Sequence, residues 1–272
     1  MSAAPHTPGA ATTPDKVVAS TAAAVDDIPS GSSLAVGGFG LAGIPWFLIE
    51  ALLEQGADEL TIVSNNCGVD GAGLGLLLEA HRISRVIASY VGENKEFARQ
   101  YLAGELTVEL TPQGTLAERL RAGGSGIGAF FTPTGVGTLV AEGGLPWRYH
   151  TDGSVALASP PKEVRTFHGR QMLLEESIVT DYALIRAAVA DRAGNCVFHA
   201  AARNFNPPAA MAGAITVVEA ERVVDVGELG PDEIHLPGIF VQRVVELTPE
   251  QAARKGIEKR TTRPRPGEEA AR

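Results

Sequence analysis

The chain has 272 residues, of which 23 are Lys or Arg and 32 are Asp or Glu, so its formal net charge is −9. This length allows one large α/β domain or two modest ones, and a hydrophobic fraction of 44% indicates a folded chain. The acidic balance argues against a nucleic-acid partner, because phosphate backbones select for clustered Lys and Arg. It does not exclude an anionic ligand, since backbone N–H groups and helix N-termini bind anions without net positive charge.

The cysteines and the apolar runs indicate the compartment. Cys67 and Cys196 are the two cysteines, and neither stands in the spacing of a zinc site or a disulfide framework. No apolar run approaches the roughly 20 residues that a membrane span needs, and the N-terminus has no secretory signal pattern. We therefore expect a soluble, cytoplasmic protein with reduced thiols, no metal and no membrane attachment.

The first half of the chain alternates short apolar strands with helices. Residues 1–14 are rich in Ala, Thr and Pro and are predicted to be a flexible arm. A strand at 34–36 leads into a glycine-rich turn, after which Pro45 begins a helix over 45–54. Further strands are predicted at 60–63, 86–89, 108–110 and 129–132. This alternation predicts an α/β fold with an open, mainly parallel sheet and flanking helices.

The C-terminal half is more elaborate. Residues 146–159 predict a long loop or a small hairpin insertion. Two strands joined by a tight turn and two later strands are predicted at 182–189, 196–199, 214–219 and 239–245. We expect one domain over 15–247, followed by a charged tail over 248–272 that does not pack against it.

A glycine cluster, GGFGLAG at 37–43, follows the first strand. A strand that ends in glycines and enters a helix presents backbone N–H groups to an anion or a carbonyl oxygen. The same pattern also suggests a dinucleotide site, but that interpretation needs an acidic residue about 20 residues further on. The second strand instead ends in Ser64, Asn65 and Asn66, so a nicotinamide cofactor is disfavoured.

Amide side chains follow two other strands. Asn65 and Asn66 come directly after the second strand, and their amide groups can donate to a carbonyl or carboxylate without adding charge. Gln113 follows the fourth strand, just before a helix that Thr115 and Glu118 are predicted to cap. Paired Asn also occurs in ordinary turns. The functional interpretation depends on the carboxyl ends of parallel strands meeting at one crevice.

No nucleophile motif accompanies this crevice. The sequence has no G-x-S-x-G elbow, no G-x-x-x-x-G-K-[ST] phosphate loop and no paired-histidine metal motif. Its carboxylates have no distinguishing context in an acidic chain. The residues alone therefore predict a binding crevice without an evident nucleophile.

Several runs together resemble the A subunit of the family I coenzyme A-transferases of the 3-oxoacid type. These runs are VGGFGLAGIP at 36–45, SNNCGVD at 64–70, GENKEFARQYL at 92–102, ELTPQGTLAER at 109–119, FTPTG at 131–135 and ARNFN at 202–206. The resemblance covers roughly residues 16–247 in the family's order. It implies an open α/β sheet similar to that of ribose-5-phosphate isomerase.

The resemblance also implies a division of labour between two chains. In this family a glutamate of the B subunit, in a Ser-Glu-Asn-Gly segment, attacks the acyl-CoA and then forms a glutamyl–CoA thioester. That segment is absent here, so no catalytic nucleophile is expected in this chain, and Glu93 is not a candidate. A B-type partner chain is expected in a hetero-oligomer, with coenzyme A esters as substrates and no further cofactor.

By the motif match, part of the shared site lies on this chain. The residues expected at the substrate are Asn65, Asn66, Gln113, Phe39 and Gly40, and those expected at CoA are Gly37, Gly38 and Gly43. Trp46 and Phe47 depart from the polar residues common after this proline, and Ser30 departs from the usual Asp or Asn. These departures put the helix start and the acceptor size in question.

Three classes of function are compatible with these residues. The resemblance favours transfer of CoA from succinyl-CoA to a 3-oxoacid, with acetoacetate as the preferred acceptor and 3-oxoadipate as the alternative. A sugar-phosphate isomerase or deaminase of the same fold fits less well, because it needs a positioned general base. A non-catalytic acyl-CoA binding module is a more distant alternative.

Overall fold

A computed structural model describes residues 15–92 and 94–255. The predicted arm over 1–14, Glu93 and the 256–272 part of the predicted tail lie outside the described residues. The strands, in chain order, are β1 (Ser33–Val36), β2 (Leu60–Val63), β3 (Ile83–Ala88), β4 (Thr107–Leu110), β5 (Ala129–Thr132), β6 (Pro146–Tyr149), β7 (Val155–Ala158), β8 (Val164–Phe167), β9 (Arg170–Glu176), β10 (Thr180–Ala187), β11 (Val189–Asp191), β12 (Cys196–Val197), β13 (Gly213–Ala220), β14 (Val223–Val224) and β15 (Arg243–Glu246). The α-helices are α1 (Thr21–Val25), α2 (Trp46–Gln55), α3 (Gly75–Glu79), α4 (Lys95–Leu102), α5 (Gln113–Gly124), α6 (Leu139–Glu142), α7 (Asn206–Ala212) and α8 (Pro249–Ala253).

The centre of the molecule is a seven-stranded sheet in the order β15-β13-β10-β1-β2-β3-β4. Every neighbouring pair in it runs parallel. Both faces are covered, and successive residues of β1 enter opposite cores: Leu34 and Val36 pack in one cluster and Ala35 in the other. Continuous apolar strands suit a parallel sheet with helices on both faces. The predicted α/β class is confirmed.

Smaller antiparallel sheets account for the elaborate C-terminal half. The predicted strand at 129–132 forms as β5, but it leaves the main sheet and pairs with β9 in the order β5-β9-β8. The segment 146–159 forms a hairpin, in which β6 pairs antiparallel with β7. A third small sheet has the order β12-β11-β14.

A short hairpin forms around the predicted turn at 191–195, but most of the predicted first strand lies elsewhere. The first strand, β10, lies between β1 and β13 in the main sheet, whereas β12 pairs with the short β11. The run 182–190 is apolar except for Arg186, so its period does not reveal where β10 ends and β11 begins. The last predicted strand also begins later, at Arg243, after a single 3₁₀ turn at Gly238–Phe240.

Two helical regions differ from the expectations. The sequence pattern did not predict α7, whose paired prolines stand in its first turn, where proline is tolerated. The charged tail was expected not to pack, yet Arg254 lies over Trp46 and Phe47, with its guanidinium carbon 5.0 and 5.5 Å from the ring centres. Its start therefore covers the beginning of α2. None of the helices within the described ranges has the length and hydropathy needed to span a membrane.

Candidate active site

The candidate site lies at the carboxyl edge of the main sheet. Because β1 to β4 are parallel neighbours, the segments that follow them emerge at one edge, where open α/β sheets bind ligands. The glycine turn, which we define as residues 37–45, follows β1. The asparagine pair follows β2, Ser89 follows β3, and Gln113 begins α5 after β4.

Glycine is required inside the turn by its backbone. Phe39 and Ala42 exchange two N–H···O bonds of 3.0 Å, which makes a tight reversal. Gly40 has φ +59 within it, and Gly38 before it has φ +107, a region that favours glycine. A Cβ on Gly38 would also overlap the side chain of Ile44. The side chain of Phe39 remains half exposed at this edge.

The rear of the turn packs against α7 and the residues before it. A Cβ on Gly37 would overlap the amide oxygen of Asn206, and one on Gly43 would lie 2.6 Å from the carbonyl oxygen of Ala202. Asn206 Nδ2 donates to the Gly43 carbonyl at 2.9 Å. These glycines thus allow close approach by the chain itself, and CoA binding by Gly37, Gly38 and Gly43 stays a prediction.

Asn66 is the amide that the fold brings to the glycine turn. It is buried and lines a cavity of about 10 Å³ together with Gly37 and Gly40, which is about the space of one water molecule. Its Nδ2 lies 3.4 Å from the Gly68 carbonyl, a long hydrogen bond. An incoming acceptor therefore competes with only a weak internal partner.

Asn65 is held by the next strand instead. Its Nδ2 donates to Ser89 Oγ at 3.0 Å, while Ser89 Oγ donates back to the Asn65 carbonyl at 3.0 Å. Asn65 is also buried. Its amide already has an internal acceptor. Asn65 can therefore bind substrate only if this pair opens, and otherwise contributes only by positioning its neighbours.

Gln113 lies at the same edge but apart from this cavity. It is the first residue of α5, its side chain is exposed, and the cavity lined by Asn66 does not include it. The predicted Thr115–Glu118 cap was wrong, because the helix begins two residues before Thr115. The buried Thr115 Oγ1 has no hydrogen-bond partner in the described ranges.

An ion-pair cluster fixes α5 to the sheet. Glu109 of β4 accepts from Arg119 Nη1 of α5 and from Arg85 Nη2 of β3, both at 2.6 Å. Burial opposes ionisation of this carboxyl, but Arg119 and Arg85 outweigh it and hold the pKa of Glu109 below its usual range. The helix that begins with Gln113 is therefore anchored one turn and a half from that residue.

Cys67 is a packing residue. Its side chain is fully buried in the core, and burial raises the pKa of its thiol well above the usual range, so it is not a thiolate nucleophile near neutral pH. Its carbonyl accepts from Asn94 Nδ2 at 2.8 Å, which ties the asparagine segment to α4. Within the described residues, no cluster of three or more His, Cys, Asp or Glu could hold a metal ion.

Sequence reasoning did not assign roles to the residues behind the turn. Asn204 Nδ2 donates to the Ala42 carbonyl at 3.1 Å, and Asn206 and Glu219 lie deeper, with no exposed surface. Asn204 and Asn206 stand in the ARNFN run at 202–206, so the family match contained a signal for them. Glu219 stands in an apolar strand, and its pairing depends on elements distant in sequence.

Most of the chain matches known coenzyme A transferases in sequence. The family model described as coenzyme A transferase matches residues 18–247. The A subunit of a probable succinyl-CoA:3-ketoacid coenzyme A transferase from Mycobacterium tuberculosis is 62% identical over 249 residues, which cover 92% of this chain and 99% of that protein. The human mitochondrial succinyl-CoA:3-ketoacid coenzyme A transferase 2 is 55% identical over 222 residues, 82% of this chain, which match only 43% of its own length.

The fold agrees with this match. The acyl-CoA transferase YdiF of Escherichia coli O157:H7, solved as the apoenzyme, aligns with a TM-score of 0.72 at 24% identity, over 87% of this chain and 48% of that chain. At this identity the likeness shows the fold. The sequence matches, which extend over most of the chain, show the family: the chain belongs to the coenzyme A transferases and is a transferase.

Proposed function

We propose that this chain is the A subunit of a hetero-oligomeric CoA-transferase that moves CoA from succinyl-CoA to a 3-oxoacid, with acetoacetate as the preferred acceptor. The relatives named above support the donor and the acceptor class. The observation that supports the shared site is the carboxyl edge itself, where the glycine turn, Asn66 and Gln113 follow parallel strands of one sheet.

The chemistry we propose divides between two chains. A glutamate of the partner attacks the thioester carbonyl, which releases CoA thiolate and leaves an acyl-glutamyl anhydride. The thiolate then attacks the glutamyl carbonyl, which gives a glutamyl–CoA thioester and the free donor carboxylate. The acceptor carboxylate repeats these steps in reverse. A carboxylate is a weak nucleophile, so each addition depends on donors that stabilise the oxyanion.

In this proposal the present chain supplies those donors. We expect the exposed Gln113 amide to donate to a carbonyl oxygen held between the chains, and the Asn66 amide to donate from beside the glycine turn. Neither adds charge, which suits a carboxylate acceptor and an anionic CoA ester. No bound cofactor is needed, because the CoA esters are themselves the substrates. A cytoplasmic location stays a prediction from the sequence.

The relatives support a separate partner. The chain spans nearly all of the Mycobacterium tuberculosis relative, which is itself one subunit by name, but less than half of the human relative. We infer that a B-type chain corresponds to the remainder of the human protein. The partner would also supply cationic groups for the CoA phosphates, which this acidic chain does not favour.

The deciding experiment measures transfer from succinyl-CoA to acetoacetate by the purified chain alone and then with the B-type chain of the same organism. Activity that requires both chains supports the shared site. Activity of this chain alone would contradict the division of labour. A mixture that uses 3-oxoadipate in preference to acetoacetate would replace the acceptor, and a mixture that binds CoA esters without transfer would leave only a binding module.

A further inference from the structure

A buried polar cluster lies behind the glycine turn. Asn206, Arg186 and Glu219 belong to α7, β10 and β13, and Arg186 is 4% exposed while the other two have no exposed surface. Burying charged groups is costly unless each is paired and hydrogen-bonded. Several contacts of this cluster are hydrogen bonds to the backbone of the glycine turn and of α2, the helix that follows it.

Asn206 connects the turn to the neighbouring strand. Its Oδ1 accepts from the backbone N–H of Arg186 at 3.1 Å, while its Nδ2 donates to the carbonyls of Gly43 at 2.9 Å and Ala202 at 2.8 Å. The close approach at Gly37 places the same side chain against the start of the turn. One amide therefore contacts both ends of the glycine turn.

Glu219 holds the helix that follows. Its Oε2 accepts from the backbone N–H groups of Phe47 at 2.9 Å and Leu48 at 3.0 Å, in the first turn of α2. An N-cap side chain normally accepts these bonds, but Pro45 at that position has no acceptor. A strand distant in sequence thus supplies the cap of α2, immediately after the glycine turn.

Arg186 connects Asn206 with Glu219. Its Nη1 donates to Glu219 Oε1 at 3.3 Å, and its Nη2 donates to Glu221 at 3.0 Å and to the Ala252 carbonyl at 3.0 Å. Burial of Glu219 outweighs Arg186 and the two N–H donors and raises the pKa of this carboxyl to about 7. Lys255 also pairs with Glu221 on the far side.

We propose that Asn206, Arg186 and Glu219 form a positioning brace, which sets the glycine turn relative to Asn66 and to the reacting thioester. The N–H groups of Gly37, Phe39 and Ala42 bond within the chain, so the donors to the thioester are other N–H groups of the turn. None of the three brace residues touches substrate; they act through the turn and the start of α2. The catalytic part of this inference rests on the proposed function. A displacement of about 1 Å at a reacting centre can reduce turnover by about two orders of magnitude, so residues that hold the turn in place affect the rate.

The test uses the assembled enzyme with two variants and one control. Asn206→Ala removes the bridge to Gly43, and Glu219→Gln keeps the size of the side chain but turns an amide donor toward Arg186. Gln100→Ala is the matched control, since Gln100 is also buried and donates to a backbone carbonyl, that of Leu78 at 2.6 Å, away from the turn. Amide hydrogen exchange and steady-state kinetics are measured for each protein.

We expect peptides covering 37–48 to exchange at least about 10-fold faster in Asn206→Ala, while peptides from β2 to β4 keep their rates. We expect kcat to fall about 10- to 100-fold with KM within about threefold, because geometry is lost and binding is kept. Glu219→Gln should show the same pattern to a smaller extent. Gln100→Ala should keep the kcat of the wild type and its protection over 37–48.

Two results would overturn the brace. One is wild-type kcat per folded molecule with unchanged exchange over 37–48 in the folded variants. The other is faster exchange across the whole sheet, which would mean a general loss of stability. If Asn206→Ala does not fold, Glu219→Gln decides between these results. Exchange does not depend on transfer, so a local increase in a mixture whose wild type is inactive would reject the proposed function and keep the mechanical link.

Discussion

Asn66 and Gln113 offer the same chemical group in two different environments. Asn66 is buried and its amide has a long internal hydrogen bond, whereas Gln113 is exposed at the start of α5. An amide donor in bulk water stabilises a developing negative charge weakly, because water competes and screens. We therefore expect Gln113 to act only when a partner excludes water from the edge, whereas Asn66 is already buried.

For Gln113→Ala in the assembled enzyme we expect turnover to fall about 10- to 1,000-fold, because an oxyanion donor is lost. Steady-state rates with succinyl-CoA and acetoacetate give the measurement. Gln171→Ala is the control, since Gln171 is an exposed glutamine on β9, outside the main sheet. Equal kinetics for the two variants would remove Gln113 from the site.

At the scale of elements, the start of α2 is held from two sides. On one side, Glu219 accepts from two N–H groups in the first turn of α2. On the other side, Arg254 of the C-terminal segment covers the aromatic residues of that turn and pairs with Glu50 at 2.6 Å. Trp46 and Phe47 thus pack against the C-terminal segment, a contact that the sequence did not predict.

Truncation after Leu247 is expected to lower the free energy of unfolding by about 1–3 kcal/mol, because the buried Arg186 loses its acceptor on Ala252. The ion pairs of Arg254 with Glu50 and of Lys255 with Glu221 are lost as well. Thermal melting of the truncated chain, compared with truncation after Lys255, measures this. Identical melting temperatures for the two truncations would show that residues 248–255 add no stability.

At the scale of the molecule, the carboxyl edge exposes apolar surface beside its polar groups. Phe39 and Tyr90 follow β1 and β3, Leu110 ends β4, and the three are 46%, 59% and 42% exposed. Exposed aromatic residues grouped with amide donors are typical of surfaces that another protein covers. This supports the view that the partner closes the site over this edge and excludes water from Gln113.

Addition of the B-type chain should therefore protect this edge. We expect amide hydrogen exchange to slow at least about threefold in peptides covering 37–43, 64–70 and 112–116, since an interface restricts opening. Peptides covering 26–33, at the amino ends of the strands, serve as the control. Slower exchange in the control peptides alone would place the partner on the opposite edge.

Local sequence was enough for the elements of the first half. The strands at 34–36, 60–63 and 108–110 and the helix after Pro45 were predicted within a few residues, because apolar period, glycine and proline act over a few positions. The conformation of the glycine turn follows from the same local chemistry. The family match over 18–247 also came from the sequence, together with the candidate residues of the site.

Pairing between distant segments depended on the tertiary structure. Both β5 and β10 were predicted as strands, yet β10 enters the main sheet and β5 pairs outside it, because strand partners are chosen by packing across the whole core. Asn206 bonds the glycine turn and Glu219 bonds the start of α2 from elements far along the chain, and a local sequence pattern does not predict contacts between distant segments. The sequence by itself determined the chemical groups at the sheet edge, and the tertiary structure decided which of them are buried, hydrogen-bonded and adjacent, because these depend on contacts between distant segments.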